Sequence, residues 1–139
     1  MCCCFPRVRR GLSEKNRWAE TEGGSAVEAL TRIVFVDDQR QKFFGEGPCR
    51  LLKAVEETGS LRSAAASMGM AYTKALKLLK NAEEALGFPL TDRAVGGKDG
   101  GGSRVTPEGR EWLRKYESYR DACIQANRRL YLEFFPEQR

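Results

Sequence analysis

The sequence contains no histidine, the side chain on which most general acid–base catalysis near neutral pH relies. Triads in which an imidazole activates serine or cysteine are therefore excluded. No apolar run approaches the roughly 18 residues that a membrane-spanning helix needs, and the first residues contain no apolar core of a secretory signal. We expect a cytoplasmic protein that is not an enzyme and has no membrane partner.

The five cysteines are poorly spaced for metal or disulfide chemistry. Cys2, Cys3 and Cys4 are adjacent, whereas tetrahedral metal sites typically use Cys-x-x-Cys spacing. The count of five is odd, which argues against a disulfide framework. Cys49 and Cys123 each stand alone in a predicted helix, where a thiol is usually a small packed hydrophobe. We therefore expect no metal and no cofactor.

The length of 139 residues suits one domain with a tail. Residues 1–27 combine basic and glycine residues with few apolar ones, which is typical of a disordered tail. Such a basic arm is either solvated or in contact with nucleic acid. We expect a folded domain over residues 28–105 and a long C-terminal helix over residues 106–139.

The predicted elements are short paired strands and helices. A strand over 33–36 and a return segment over 42–44 precede helices over about 48–58, 60–68 and 71–86. Strands over 88–93 and 103–105 follow, and then a helix from Pro107 to about Phe135. The fold class is therefore mainly α with a small β-ribbon.

The predicted helix over residues 71–86 has two distinct faces. Its apolar residues fall within an arc of roughly 160° on a helical wheel. The opposite arc holds Thr73, Lys74, Lys77, Lys80 and Asn81. No Asp or Glu occurs from Thr58 to Ala82. A uniformly basic face suits the major groove of DNA, where lysines neutralise phosphates and Thr73 and Asn81 reach base edges. Taken alone, it fits a solvated surface equally well.

The preceding segment favours the nucleic-acid interpretation. Ala65 and Gly69 place a small residue and a turn-forming glycine between a short helix and the basic helix. A short helix, a tight turn and a basic second helix form a helix-turn-helix, whose second helix enters the groove.

The glycine-rich segment over residues 96–102 has two readings, a phosphate-binding loop or a hairpin tip. In a P-loop, Lys98 would precede Ser or Thr and a helix, but Asp99 and a strand pattern follow it. A tip that carries Lys98 and is flanked by Arg93 and Arg104 fits a wing against the DNA backbone or minor groove. The fold expected is thus a winged helix-turn-helix.

These segments together resemble the N-terminal DNA-binding domain of the ModE family, molybdate-responsive bacterial regulators. The resemblance rests on Gly59-Ser60-Leu61, Gly69-Met70-Ala71-Tyr72, Gly87-Phe88-Pro89-Leu90 and above all the poly-glycine segment. LysR-type regulators share part of the pattern but lack the preceding strand and the glycine-rich wing. The sequence ends at Arg139, so we do not expect the family's molybdate-binding region or direct molybdate sensing.

The resemblance implies roles for individual residues. Ser60, Arg62 and Ser63 would lie near phosphates at the start of the second helix. Tyr72, Thr73, Lys74 and Lys77 would belong to the recognition helix, and Lys98 and Arg104 to the wing. Tyr72 also lies on the apolar arc, so packing competes with DNA contact there. Arg62 and Asp99 depart from the commoner residues of the family, and Asp99 weakens the case for a close wing–phosphate contact.

The C-terminal helix carries an apolar stripe with a spacing close to that of a helix–helix seam. Its members are Trp112, Tyr116, Tyr119, Cys123, Ala126, Leu130 and Phe134. We expect a dimerisation helix whose first turns pack on their own domain.

The sequence therefore predicts a homodimeric, sequence-specific transcriptional regulator that binds double-stranded DNA. The alternative is a winged-helix protein-interaction module that does not bind DNA.

Overall fold

The computed structural model describes residues 28–93 and 102–138, and the side chains of Arg93 and Gln138 are left out of the description. The predicted tail over 1–27 and the glycine-rich tip over 96–101, with Lys98 and Asp99, lie outside these residues. None of the helices in the described ranges is long and apolar enough to cross a membrane.

The elements follow the predicted order. The chain forms β1 (Phe35–Val36), β2 (Lys42–Phe44), α1 (Glu46–Thr58), α2 (Leu61–Ser67), α3 (Tyr72–Leu86), β3 (Thr91–Arg93), β4 (Ser103–Val105), α4 (Pro107–Phe134) and a terminal 3-10 turn (Pro136–Gln138). Two antiparallel pairs, β1–β2 and β3–β4, accompany the helices. The fold class expected from the sequence, mainly α with a β-ribbon in winged helix-turn-helix order, is confirmed.

Several element boundaries differ from the prediction. The first strand begins at Phe35, because the carbonyl of Ile33 instead accepts a hydrogen bond from Tyr116. Helix α1 begins two residues before Pro48, which occupies the first turn, where its missing N–H is not needed. Strand β3 begins only at Thr91, because the N–H of the preceding residue, Leu90, bonds to the carboxylate of Glu83 instead of to the opposite strand.

The helix-turn-helix corner ends α2 in the manner expected of a glycine turn. Gly69 adopts φ 62°, a left-handed conformation that glycine tolerates without steric cost. The N–H of Met70 bonds to the carbonyl of Ala65 at 2.9 Å, and that of Gly69 to Ala66 at 3.0 Å. This is the Schellman pattern, which satisfies the last carbonyls of α2 and turns the chain into α3.

The core lies between all four helices and the two ribbons. Its largest fully buried side chains are Phe44, Leu51, Leu52, Leu79, Leu90, Val55 and Cys49. Burial raises the pKa of the Cys49 thiol to about 11, so this thiol stays protonated at neutral pH, as expected for a packed side chain. Ring contacts of Phe35 and Phe44 with Trp112 and Tyr116 join the first ribbon to α4.

The first turn of α4 packs so closely on the second ribbon that only glycine fits at position 109. A Cβ at Gly109 would lie 2.5 Å from the carbonyl oxygen of Leu90. That carbonyl is fixed, because it accepts the N–H of Thr106. We expect Gly109→Ala to lower the free energy of unfolding by about 1–3 kcal/mol, the usual cost of overpacking.

Gln125→Ala is the control, because Gln125 is exposed on the same helix. This variant should change the free energy of unfolding by no more than about 0.5 kcal/mol, the usual range for an exposed position. Urea unfolding of both variants measures the difference. Equal stabilities would show that α4 does not depend on the close approach.

Candidate nucleic-acid interface

The polar arc of α3 is exposed along most of its length. Lys74, Lys77 and Lys80 extend from this arc, and Thr73 lies at its N-terminal end. The opposite side packs into the core through Ala75, Leu79 and Ala82, all fully buried. We call Thr73, Lys74, Lys77 and Lys80 the basic face of α3. Within the described part of the chain, none of its lysines forms an ion pair.

Several cations of α1 and α4 have acidic partners. Lys53 of α1 contacts Glu117 of α4 at 2.7 Å, and this hydrogen bond raises the pKa of Lys53. Arg110 pairs with Glu56 at 2.9 Å, which also joins α4 to α1. The helix-turn-helix has no carboxylate over residues 58–82, and the first acids of α3 are Glu83 and Glu84, after Lys80. The charge of the basic face is therefore available to an external anion.

The N-terminal end of α2 contributes a second basic group. The Ser60 hydroxyl caps α2 by accepting the N–H of Ser63 at 3.3 Å, so part of its hydrogen-bonding capacity is used within the fold. Ser63 itself is exposed. Arg62 lies with its guanidinium carbon 5.0 Å from the ring centroid of Tyr72, a cation–π contact between α2 and α3. Arg62 is thus held beside the first turn of α3.

Tyr72 packs in the structure, and its contact with DNA stays a prediction. Its ring is half-buried and packs against the core cluster, and the same ring makes the cation–π contact with Arg62. The residue therefore links the core to the candidate interface through its side chain.

Asn81 differs from the basic face because acidic side chains lie near it. It lines an open groove with Asp37 and Asp38 of the β1–β2 turn and with Glu84. Three carboxylates repel a phosphate backbone, so this end of α3 is less suited to DNA than the first three turns. The acids at 37, 38 and 84 are visible in the sequence, but their proximity to Asn81 depends on the packing of the hairpin against α3.

Arg104 is the described basic side chain of the second ribbon. It is exposed, between the buried residues Ser103 and Val105. Its cross-strand partner is Asp92, which is also exposed, and the two form no ion pair in the structure. Arg93 pairs with Ser103 through the backbone, whereas Lys98 lies outside the described residues.

The sequence reasoning missed Glu83, which joins α3 to the second ribbon. Its carboxylate accepts hydrogen bonds from the backbone N–H groups of Leu90 and Thr91 at 2.9 and 3.1 Å. The Gly87-Phe88-Pro89 segment indicates a chain reversal after α3. A glutamate four residues before the terminal glycine is the one available signal, since its side chain lies on the last turn of the helix.

The apolar stripe of α4 divides into two parts. Tyr116 is 2% exposed, and Trp112 is partly buried against Phe35, Phe44 and Phe88. Both residues therefore belong to the core of their own domain, and the dimer contact expected for them is corrected, because Tyr116 in particular presents no free surface. Beyond them, Tyr119, Leu130 and Phe134 are 53%, 53% and 70% exposed, and Cys123 and Ala126 are half-buried.

The Arg62–Tyr72 contact gives a direct test of this corner. We expect Arg62→Ala and Tyr72→Leu to show a coupling of about 0.5–1 kcal/mol in a double-mutant cycle, the usual size of an exposed cation–π contact. Tyr72→Phe retains the ring and should preserve the coupling. Urea unfolding of each single and double variant measures it. Additive effects would mean that Arg62 does not rest on the ring in solution.

Comparison with known families agrees with this geometry. Residues 49–110 match the family described as "Bacterial regulatory helix-turn-helix protein, lysR family". The matched range covers most of α1, all of α2 and α3, both strands of the second ribbon and the first turn of α4.

Curated relatives resemble the same part of the chain at higher identity. The molybdenum transport protein ModE of Herbaspirillum seropedicae is 40% identical over 73 residues, which are 52% of this chain and 25% of that protein. The transcriptional regulator ModE of Haemophilus influenzae is 31% identical over 88 residues, which are 63% of this chain and 31% of that protein. The chain thus spans about a third or less of the length of these relatives.

A solved structure, the BenM_DBD/benA site 1 DNA complex, aligns with 60% of this chain and 92% of its own at 26% identity, with a TM-score of 0.44. At that score the superposition is loose. The sequence matches are more specific: they confirm the resemblance to the DNA-binding region of ModE-type regulators, and residues 49–110 match the lysR-family helix-turn-helix.

Proposed function

We propose that this chain binds duplex DNA sequence-specifically as a transcriptional regulator, with α3 in the major groove. The observation that carries the proposal is the basic face of α3, which is exposed and lies in a stretch, residues 58–82, that contains no carboxylate. The proposed activity is binding alone, without a catalytic step or cofactor, and it takes place in the cytoplasm. The names of the relatives, transcriptional regulators among them, support the same function.

The position of each side chain on α3 suggests whether it contacts a base or a phosphate. Residues near the N-terminus of a recognition helix contact base edges, while flanking cations contact phosphates. Thr73 and Lys74 occupy the first turn and would read bases. Lys77 and Lys80 lie one and two turns further along the exposed side and would neutralise phosphates. Arg62, held beside Tyr72, would contact the backbone at the end of the groove where α3 begins.

The second ribbon is the proposed wing. Arg104 would approach the sugar-phosphate backbone or the minor groove, together with Arg93 and Lys98. Ser60 and Ser63 would complete the phosphate contacts at α2. Asn81 is the weakest member of the set, because Asp37, Asp38 and Glu84 surround it.

A salt series tests the phosphate contacts on a duplex selected by the protein from a random-sequence pool. Each phosphate neutralised steepens the dependence of log K on log salt by about 0.9. We therefore expect Lys74→Ala with Lys77→Ala to weaken binding and reduce the slope by up to about two, depending on whether Lys74 contacts a base or a phosphate. Fluorescence anisotropy at several salt concentrations measures both quantities.

Arg128→Ala with Arg129→Ala is the matched control. Both arginines are exposed on the C-terminal half of α4, and the pair removes the same charge. The control should retain the wild-type slope. A salt-independent wild type, or equal losses in the two double variants, would rule out the proposed contacts of α3.

We also propose that α4 forms a homodimer. The helix has 28 residues and is therefore about 42 Å long, and its aromatic ties to the domain end near Tyr119. The apolar residues that follow, Leu130 and Phe134 in particular, have no comparable cover within the described residues. In this arrangement residues 28–105 are the DNA-binding domain and residues 106–139 the dimerisation helix. A two-fold dimer would read half-sites about 34–36 Å apart, or a multiple of that spacing.

Leu130→Asp tests the dimer, because a buried carboxylate without a partner costs several kcal/mol. We expect the wild type to sediment as a dimer and Leu130→Asp as a monomer. Gln125→Asp adds the same charge at an exposed position of α4 about 140° around the helix from Leu130, as the helical period of about 100° per residue gives, and should remain dimeric. Analytical ultracentrifugation distinguishes these outcomes, and a monomeric wild type would contradict the proposal. A dimer with no DNA affinity would instead favour the protein-interaction module.

A further inference from the structure

We propose that Glu83 is a positioning residue that fixes the root of the β3–β4 ribbon on α3, so that wing and recognition helix meet DNA as one rigid unit. This inference rests on the proposed function, because it specifies how two parts of that interface are held in register. Glu83 itself would not touch DNA.

The evidence is a set of three hydrogen bonds to one carboxylate oxygen. Oε1 of Glu83 accepts the N–H of Leu90 at 2.9 Å, the N–H of Thr91 at 3.1 Å and the Thr91 hydroxyl at 3.4 Å. These donors belong to the start of β3, while Glu83 lies in the last turns of α3. Hydrogen bonds to an ionised acceptor are stronger than neutral ones, particularly where water is partly excluded.

The other strand of the ribbon is held by a different element. The N–H of Ser103, at the start of β4, bonds to the carbonyl of Gly59 in the α1–α2 turn at 2.8 Å. The Thr106 hydroxyl donates to the carbonyl of Pro89 at 2.7 Å and ties the start of α4 to the same root. Among the hydrogen bonds of the described residues, those of Glu83 alone connect α3 directly to the ribbon. Glu83 is therefore the side chain that fastens the root of the ribbon to α3 by hydrogen bonds, in addition to the core packing of Leu90 and Val105.

The electrostatics fit a positioning role. Glu83 is the first carboxylate after the acid-free stretch, and a free charge there would oppose a phosphate backbone. Its half-buried carboxylate instead points to internal donors. Glu84, the next residue, is exposed and accepts no hydrogen bond from a described residue. The two neighbouring glutamates thus differ in their contacts and provide a matched pair.

The test compares Glu83→Ala, Glu83→Gln and Glu84→Ala on the selected duplex. Hydroxyl-radical and methylation footprints are first assigned with two marker variants. Protections that disappear in Arg104→Ala belong to the ribbon, and those that disappear in Lys77→Ala belong to α3. We expect Glu83→Ala to lose the ribbon protections, keep those of α3 and weaken binding by about tenfold, equivalent to roughly 1.4 kcal/mol. Glu83→Gln retains a carbonyl acceptor and should keep the ribbon protections. Glu84→Ala should also keep them and should bind at least as tightly as the wild type, because it removes an exposed carboxylate from α3.

A measurement without DNA separates this inference from the proposed function. Amide hydrogen exchange should accelerate at Leu90 and Thr91 in Glu83→Ala, while amides in the middle of α1 keep wild-type protection. Unchanged exchange at both amides, or ribbon protections that survive in Glu83→Ala, would overturn the positioning role. Loss of all protections with faster exchange throughout α1 would also overturn it, because Glu83 would then support the whole fold. A wild type that binds no duplex would refute the proposed function alone, and the exchange result would still decide whether Glu83 holds the ribbon.

Discussion

The burial of one side of α3 is the constraint on which the rest of the structure depends. Leu79 is fully buried between Ala75 and Ala82, and the two alanines let the helix lie close to its neighbours. Burying a leucine stabilises a fold by about 1.5–3 kcal/mol, so this side of the helix cannot rotate outward. Because the helix repeats every 3.6 residues, fixing these positions directs Lys74, Lys77 and Lys80 to the solvent.

Helix α4 connects the domain core to an exposed apolar surface. Its first turns are part of the core, through Gly109 and Tyr116, and the Tyr116 hydroxyl also holds the segment before β1 through the Ile33 carbonyl. Ion pairs with α1 continue the attachment, although exposed pairs contribute only about 0–1 kcal/mol each. The helix then extends beyond this support with apolar residues exposed. The N-terminal part of α4 thus packs in the domain core, and its C-terminal part presents the surface that we propose for dimerisation.

Periodicity in the sequence was sufficient to predict the helices and their buried sides. The arc of α3 that contains Ala75 and Leu79 packs as expected, and the glycine at position 69 ends α2 where the turn was predicted. What periodicity could not predict were contacts between distant segments. Two of the three acids near Asn81 come from the β1–β2 turn, far from Asn81 in sequence, and the N–H of Leu90 bonds to Glu83 of α3 instead of to the opposite strand. The position of Tyr116 in the apolar stripe of α4 is compatible with a helix–helix dimer contact. The same spacing also occurs in a helix that packs on its own domain.

The net charge of +5 understates how positive the candidate interface is. At physiological ionic strength the Debye length is about 8 Å, so a surface group responds mainly to charges in its immediate neighbourhood. Glu46, Glu56 and Glu117 lie beside cations of α1 and α4, and their charge is balanced there. The cations of α2 and α3 have no carboxylate within residues 58–82 to balance them. The potential that a phosphate backbone meets is therefore set by the placement of the acids, and a chain with the same totals but an acid beside Lys77 would attract DNA far less.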